Sequence, residues 1–245
     1  MDNRQLLDNI KTYLEDNQIA YGNTFVLNQA DTENTFSDYI RALIYSLLSA
    51  RTSWNKVEAK LAEVDDLFFQ YDKDKILEQD QEYFYQGILQ LRIASQVTHK
   101  QMKVLHKNIR TFETIENDYD SLDNFVKTRK PIYIAHMLST DLQYKLDQVG
   151  LPLACELLRN VGVDLIKPDV HICRILGKDR LGYSENPTAT EIEAYETAEI
   201  LRADTDYPLT VIDSLLWNYC SRGYGEVCGA TPKCYKCVIK ERCNK

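Results

Sequence analysis

Four cysteines crowd the C-terminal run CGATPKCYKCVIKERC, from Cys228 to Cys243, at the spacing Cys228-x5-Cys234-x2-Cys237-x5-Cys243. Intervals this short cost little closure entropy, so four thiolates can converge on one centre. Soft thiolates select zinc or an iron–sulfur cluster over hard cations. Zinc sites usually pair two tight knuckles, whereas here only Cys234 and Cys237 form a CxxC. The asymmetry leans toward a four-iron cluster and leaves zinc open; thiols without metal are the plainer alternative.

The other three cysteines, Cys155, Cys173 and Cys220, fall within apolar helical patterns and read as core thiols, with Cys220 near enough to the cluster run to neighbour it. The N-terminus, MDNRQLLDNIK, carries acids and no apolar signal segment. No apolar run is long enough to cross a membrane. The expectation is a cytoplasmic chain with reduced cysteines serving as ligands or core. Net charge is −8, which argues against a generic nucleic-acid binder. The charge is uneven, however. Residues 1–95 hold 16 acids and 9 bases (−7), and the remaining 150 hold 21 acids and 20 bases (−1). A basic face on the later part of the chain is therefore permitted.

Helical periodicity dominates and strand alternation is scarce. Leu6, Ile10 and Leu14 predict a first helix. Ser37 is placed to cap a second through Ile40, Ile44 and Leu48, apolar around much of its circumference and so expected at the centre of the core. One helix is expected over Trp54, Val57, Leu61, Val64 and Phe68, one over Phe84, Ile88 and Leu91, and one over Met102, Leu105, Ile109 and Phe112. On that last helix Lys100, Lys103, Lys107 and Arg110 share a face that suits solvent or a phosphate backbone. Ser121 is placed to cap a short helix with Leu122 and Phe125. Thr140 is placed to cap a helix through Leu142 and Leu146 that stops at Gly150. Pro152 opens another that ends at Gly162. Thr188 and Glu191 have capping-box spacing. Pro208 opens the last long helix.

Two features carry chemistry. The run Leu146-Asp-Gln-Val-Gly-Leu-Pro-Leu-Ala154 joins two helices through a tight turn, whose amides at Gly150 and Leu151 suit a phosphate. From the residues alone an ordinary corner between helices is the commoner reading. Asp169 follows Pro168 and caps the next helix, where a carboxylate can also stabilise positive charge on a sugar or activate water. His171 and Arg174 follow on that helix, where they could contact a phosphate, although a satisfied surface histidine is the commoner case.

Together these residues resemble the endonuclease III branch of the helix-hairpin-helix DNA glycosylase superfamily. Cys228 to Cys243 looks like its cluster loop, one residue short in the first interval, and Arg222 to Cys228 like the approach to it. Leu146 to Ala154 aligns with the LPGxGxxTA hairpin. Pro168 to Arg174 is similar to the VDTHIxR segment, and Ser46 to Thr52 to LLSAQAT. The similarity spans roughly residues 35 to 245. It implies an all-α, two-lobed fold. A six-helix barrel lobe over 33–162 would include the hairpin at 140–162. A cluster lobe, from 1–32 with 163–245, would carry a [4Fe-4S] cluster on loop 228–243.

Double-stranded DNA would lie across the cleft between the lobes, with a damaged, mismatched or modified base flipped to Asp169 as catalytic carboxylate. Arg51, where the family often has glutamine, would fill the vacated gap. Gly150, Leu151, His171 and Arg174 would contact DNA. Cys228, Cys234, Cys237 and Cys243 would be the metal ligands. Bifunctional members carry a hairpin lysine where this chain has Pro152, and Lys145 lies before the turn, so the resemblance implies a monofunctional glycosylase without efficient strand cleavage. Gln148 replaces the first hairpin glycine. Tyr45 stands where adenine-mismatch enzymes have glutamate. The expected protein is a monomer associated with the nucleoid. The alternatives are a catalytically inactive DNA- or lesion-binding iron–sulfur protein and an iron–sulfur protein that does not bind DNA.

Overall fold

Asp2 starts the first helix by accepting from the Gln5 amide while the Gln5 side chain returns to the Asp2 amide, a capping box that satisfies two otherwise orphaned donors. The computed structural model describes residues 1–21 and 33–245. Residues 22–32, which the expected cluster lobe includes, lie outside the described residues.

Among the described residues all regular structure is helical and no strand forms. The α-helices are α1 (Asn3–Asp16), α2 (Phe36–Ser49), α3 (Trp54–Glu58), α4 (Leu61–Leu67), α5 (Lys73–Glu78), α6 (Gln81–Gln90) and α7 (Thr98–Lys103). They continue as α8 (Leu105–Tyr119), α9 (Leu122–Lys127), α10 (Pro131–Thr140), α11 (Leu151–Asn160), α12 (Val170–Leu176), α13 (Glu191–Thr205) and α14 (Leu209–Cys220). The chain divides into two compact units, one joining residues 1–21 to Asp164–Lys245 and the other holding residues 33–163.

In the unit made from both ends of the chain, Leu6, Leu7, Ile10 and Leu14 of α1 pack with Ile172, Ile175 and Leu176 of α12. Ile212, Leu215, Leu216 and Tyr219 of α14 complete this core. Each such side chain contributes about 2 kcal/mol on burial, which is why α12 holds its shape at only seven residues. In the other unit α2 is the central element. Residues Tyr39, Ile40 and Ala42 through Leu48 are all buried, as its apolar circumference predicts. It packs against α11, α5 and α7.

Several helix boundaries differ from the sequence expectation. Thr35, not Ser37, caps α2, in a box with Asp38. The expected helix from Trp54 to Phe68 is two, because Lys60 leaves the helical region at φ −128° and ψ 14°. The Met102–Phe112 pattern likewise spans two helices, broken at Val104 (φ −106°, ψ 1°). Lys100 and Lys103 therefore sit on α7, Lys107 and Arg110 on α8. Thr190 with Glu193, rather than Thr188 with Glu191, forms the box before α13.

The largest correction concerns the hairpin. Thr140 ends a helix instead of starting one, and residues 141–150 are turn and loop. Asp141 accepts from the amides of Gln143 and Tyr144, a local alternative to helical bonding that stops the chain there. Leu142 consequently stands fully exposed at 105%, while Leu146 is buried. Apolar identity alone does not separate the two.

Candidate active site and nucleic-acid interface

Asp169 is half-buried at the start of α12 in extended backbone geometry. Its Oδ1 accepts from the amides of His171 (2.8 Å) and Ile172 (3.2 Å). Its Oδ2 accepts from the indole Nε1 of Trp217 at 3.1 Å. Three N–H donors thus hold one carboxylate, and a negative group at a helix N-terminus is favoured there.

The segment before Asp169 is stitched along one face of α14. Asp164 accepts from the amides of Leu209 (3.2 Å) and Thr210 (2.9 Å). The Lys167 amide donates to the buried Asp213 at 2.8 Å. Positions 209, 213 and 217 repeat every four residues, so these anchors and Trp217 line one side of the helix. The carboxylate is placed by that row.

Aromatic rings surround it. Trp217 meets His171 edge-on at 5.9 Å and Tyr224 at 4.9 Å. Burial pushes the His171 ring below its ordinary pKa; Asp169 opposes this, and Arg174 and Lys167 reinforce it. The ring is therefore neutral at neutral pH, and its buried Nδ1 has no hydrogen-bond partner. Arg174 is half-buried with Nη1 likewise buried and unpartnered, and its charge acts on Cys228 and Cys220. His171 is thus turned toward the carboxylate's aromatic wall, and Arg174 toward the cysteines.

None of the seven cysteines is in a disulfide. Cys155, Cys173 and Cys220 are buried as core thiols, and burial pushes the Cys173 thiol up to about 12. Cys220 hydrogen-bonds to Cys228, which holds the Cys228 thiol below its ordinary range, with Arg180 and Arg174 acting in the same direction against burial. Arg180 is 8% exposed and its Nε finds no acceptor.

Tyr219 anchors the loop: its carbonyl accepts from Val227 (2.9 Å) and its hydroxyl accepts from Val238 (3.0 Å) and bonds to Cys237. Cys243 lies within electrostatic range of Cys228 and Cys237. Cys234 opens a single 3-10 turn, Cys234–Lys236. Among the described residues no three His, Cys, Asp or Glu side chains are gathered as a metal-ion site.

In the other unit, Gly150 caps α11 without a side-chain bond, and Leu151 and Pro152 form its first turn. A Cβ at Gly150 would meet only Pro152 Cδ, at 3.9 Å, so this glycine is not required for space. Gln148 is the residue in the left-handed region, at φ 63°, where the resembling hairpin has glycine. The buried Asn108 of α8 grips the turn twice. Its Nδ2 donates to the Asp147 carbonyl at 3.0 Å and its Oδ1 accepts the Asp147 amide at 2.7 Å. Arg51 is exposed just past α2, also left-handed at φ 56°.

Sequence reasoning missed Trp217, Tyr224, Asp213, Arg180 and Asn108. The four-residue spacing of Asp213 and Trp217 is a visible signal, but it names no partner.

No protein-family model matches the sequence, and no curated protein matches it. The fold is similar to that of the Methanocaldococcus jannaschii 8-oxoguanine glycosylase/lyase, solved with a 15mer DNA containing 8-oxoguanine. The TM-score is 0.52 at 14% identity, over 89% of this chain and 87% of that one, so the all-helical fold of a DNA glycosylase is what the two proteins share.

Proposed function

We propose that this chain is a DNA base-excision glycosylase that acts on double-stranded DNA through Asp169. The observation that carries the reading is the half-buried carboxylate at the start of α12, held by three N–H donors, in a fold similar to a DNA glycosylase. The C1′–N bond of a flipped nucleotide breaks with its electron pair leaving on the base. The carboxylate stabilises the positive sugar. Water adds its oxygen to C1′ and passes a proton to Asp169, the base gains a proton from solvent, and an abasic site remains. The hairpin amides at Gly150 and Leu151 hold a phosphate, Arg51 fills the gap left by the base, and the protein works as a monomer on the nucleoid.

Water serves as the nucleophile in this proposal. The Methanocaldococcus jannaschii protein is a glycosylase/lyase, but this chain has Pro152 where the resembling family's hairpin carries its lysine, and no lysine from Leu146 to Ala154. Borohydride added during turnover is expected to trap no protein–DNA adduct; a trapped adduct would overturn the monofunctional assignment.

Cys228, Cys234, Cys237 and Cys243 are proposed to hold a [4Fe-4S] cluster, with zinc as the rival. What supports this is the chemistry of the donors: four thiols on a short loop, although not gathered as a metal site among the described residues, and the buried Nε of Arg180 and Nη1 of Arg174, which lack acceptors. Anionic cluster sulfur would accept from them. The bound cluster would pin the C-terminal loop and supply no bond cleavage. Iron analysis with a broad absorbance band in the visible blue is the expected result, and stoichiometric zinc would replace the assignment.

The deciding experiment incubates the protein with a panel of lesion-bearing duplexes and identifies the released base by mass spectrometry. Asp169→Asn is expected to abolish release while DNA is still bound. A second reading, a lesion-binding protein without catalysis, draws on the engagement of both Asp169 oxygens in hydrogen bonds. It predicts no release from any duplex by the wild type.

A further inference from the structure

The hairpin carries an acid where a phosphate is to sit. Asp147 precedes the left-handed Gln148 and lies three residues from Gly150, at most about 11 Å along an extended chain. That is comparable to the screening length of about 10 Å at 0.1 M salt. An uncompensated carboxylate there would repel the DNA backbone. It is not uncompensated. Lys107 Nζ of α8 donates to Asp147 Oδ2 at 2.6 Å, while the adjacent Asn108 holds both backbone polar groups of Asp147.

Asn108 is fully buried, so the backbone of Asp147 is fixed relative to α8. Lys107 is 67% exposed at its side chain and Asp147 30%, so the ion pair lies at the surface, where its charge is felt by an approaching polyanion. Of the two basic residues Lys107 and Arg110 on α8, Arg110 is committed to Glu113. Lys107 reaches the hairpin through Asp147.

We infer that Lys107 and Asn108 are positioning residues for DNA binding: Asn108 sets the hairpin backbone, and Lys107 neutralises Asp147 without itself touching a phosphate. The inference rests on the DNA-binding reading of the hairpin. It gives Lys107 a role distinct from tracking the DNA backbone, and the two roles separate experimentally. A phosphate contact contributes about 0.9 to the slope of log affinity against log salt, and removing it lowers the slope in any background. A screening lysine matters only while the acid is present.

The test measures duplex affinity across a salt series for wild type, Lys107→Ala, Asp147→Asn and the double variant. All are surface changes that leave the core intact. At low salt Lys107→Ala is expected to weaken binding about two- to fivefold, as befits an exposed pair. Asp147→Asn should tighten or preserve it. The double variant should bind like Asp147→Asn alone, with the wild-type slope. Equal weakening by Lys107→Ala in both backgrounds, with a slope reduced by about 0.9, would overturn the inference and make Lys107 a phosphate ligand. No effect of either change would also overturn it. Absence of salt-dependent duplex binding by the wild type would instead sink the DNA reading on which it rests.

Discussion

Trp217 and Asp169, forty-eight positions apart, share a hydrogen bond in which the indole Nε1 donates to carboxylate Oδ2 at 3.1 Å. The other oxygen caps α12. One side chain thus starts a helix and faces an aromatic wall. Trp217→Phe keeps the ring against His171 and Tyr224 and removes only the donor. A hydrogen bond to a charged group is worth about 1.5 kcal/mol, so single-turnover base release should slow about tenfold, with duplex affinity unchanged. An unchanged rate would remove Trp217 from the catalytic apparatus.

The cap and the chemistry of Asp169 can be separated by substitution. Asparagine caps a helix as well as aspartate does, whereas alanine loses about 1 kcal/mol. Asp169→Asn should therefore keep the cap and lose only the acceptor that faces Trp217 Nε1, and Asp169→Ala should lose both and melt lower still. Both should fail to release base. Activity in either variant would assign the carboxylate a structural role alone.

His171 predicts a pH dependence. Its folded pKa lies below the unfolded value of about 6.5, since burial outweighs the pull of Asp169. The unfolded chain takes up the proton first, so the stability present above pH 6.5 declines as pH falls below it. Thermal melts should show that decline, and His171→Phe, which keeps the edge contact with Trp217, should flatten it. An identical pH profile in the variant would rule out His171 as the titrating group.

Asn108 makes both of its hydrogen bonds to the backbone of Asp147 at zero exposure. Asn108→Leu would strand the partly buried N–H and C=O of Asp147 and is expected to cost about 1–2 kcal/mol in chemical denaturation. A loss below about 0.5 kcal/mol would mean that water replaces the side chain there.

If the tail thiols bind a cluster, Cys237→Ser should abolish the visible absorbance and lower the melting temperature, since metal binding to the folded state adds directly to its stability. Equal melting and equal metal content in variant and wild type would remove Cys237 from the ligand set.

What the sequence determined by itself is what neighbours along the chain decide. The cap at Asp169, the proline at the opening of α11 and the spacing of the tail cysteines are governed by contacts within a few residues. The apolar circumference of α2 likewise announces its burial. Periodicity ran past the breaks at Lys60 and Val104, because a backbone can leave the helix for one or two residues without disturbing the apolar rhythm. It misplaced the helix at Thr140, where the Asp141 side chain competes for the backbone.

The partner of Asp169 on α14, the grip of Asn108 thirty-nine residues from Asp147, and the unpartnered Nε of Arg180 were decided only by tertiary structure. A side chain displays its donors in the sequence, but which acceptor it meets depends on how helices pack, and packing is set by the whole core at once.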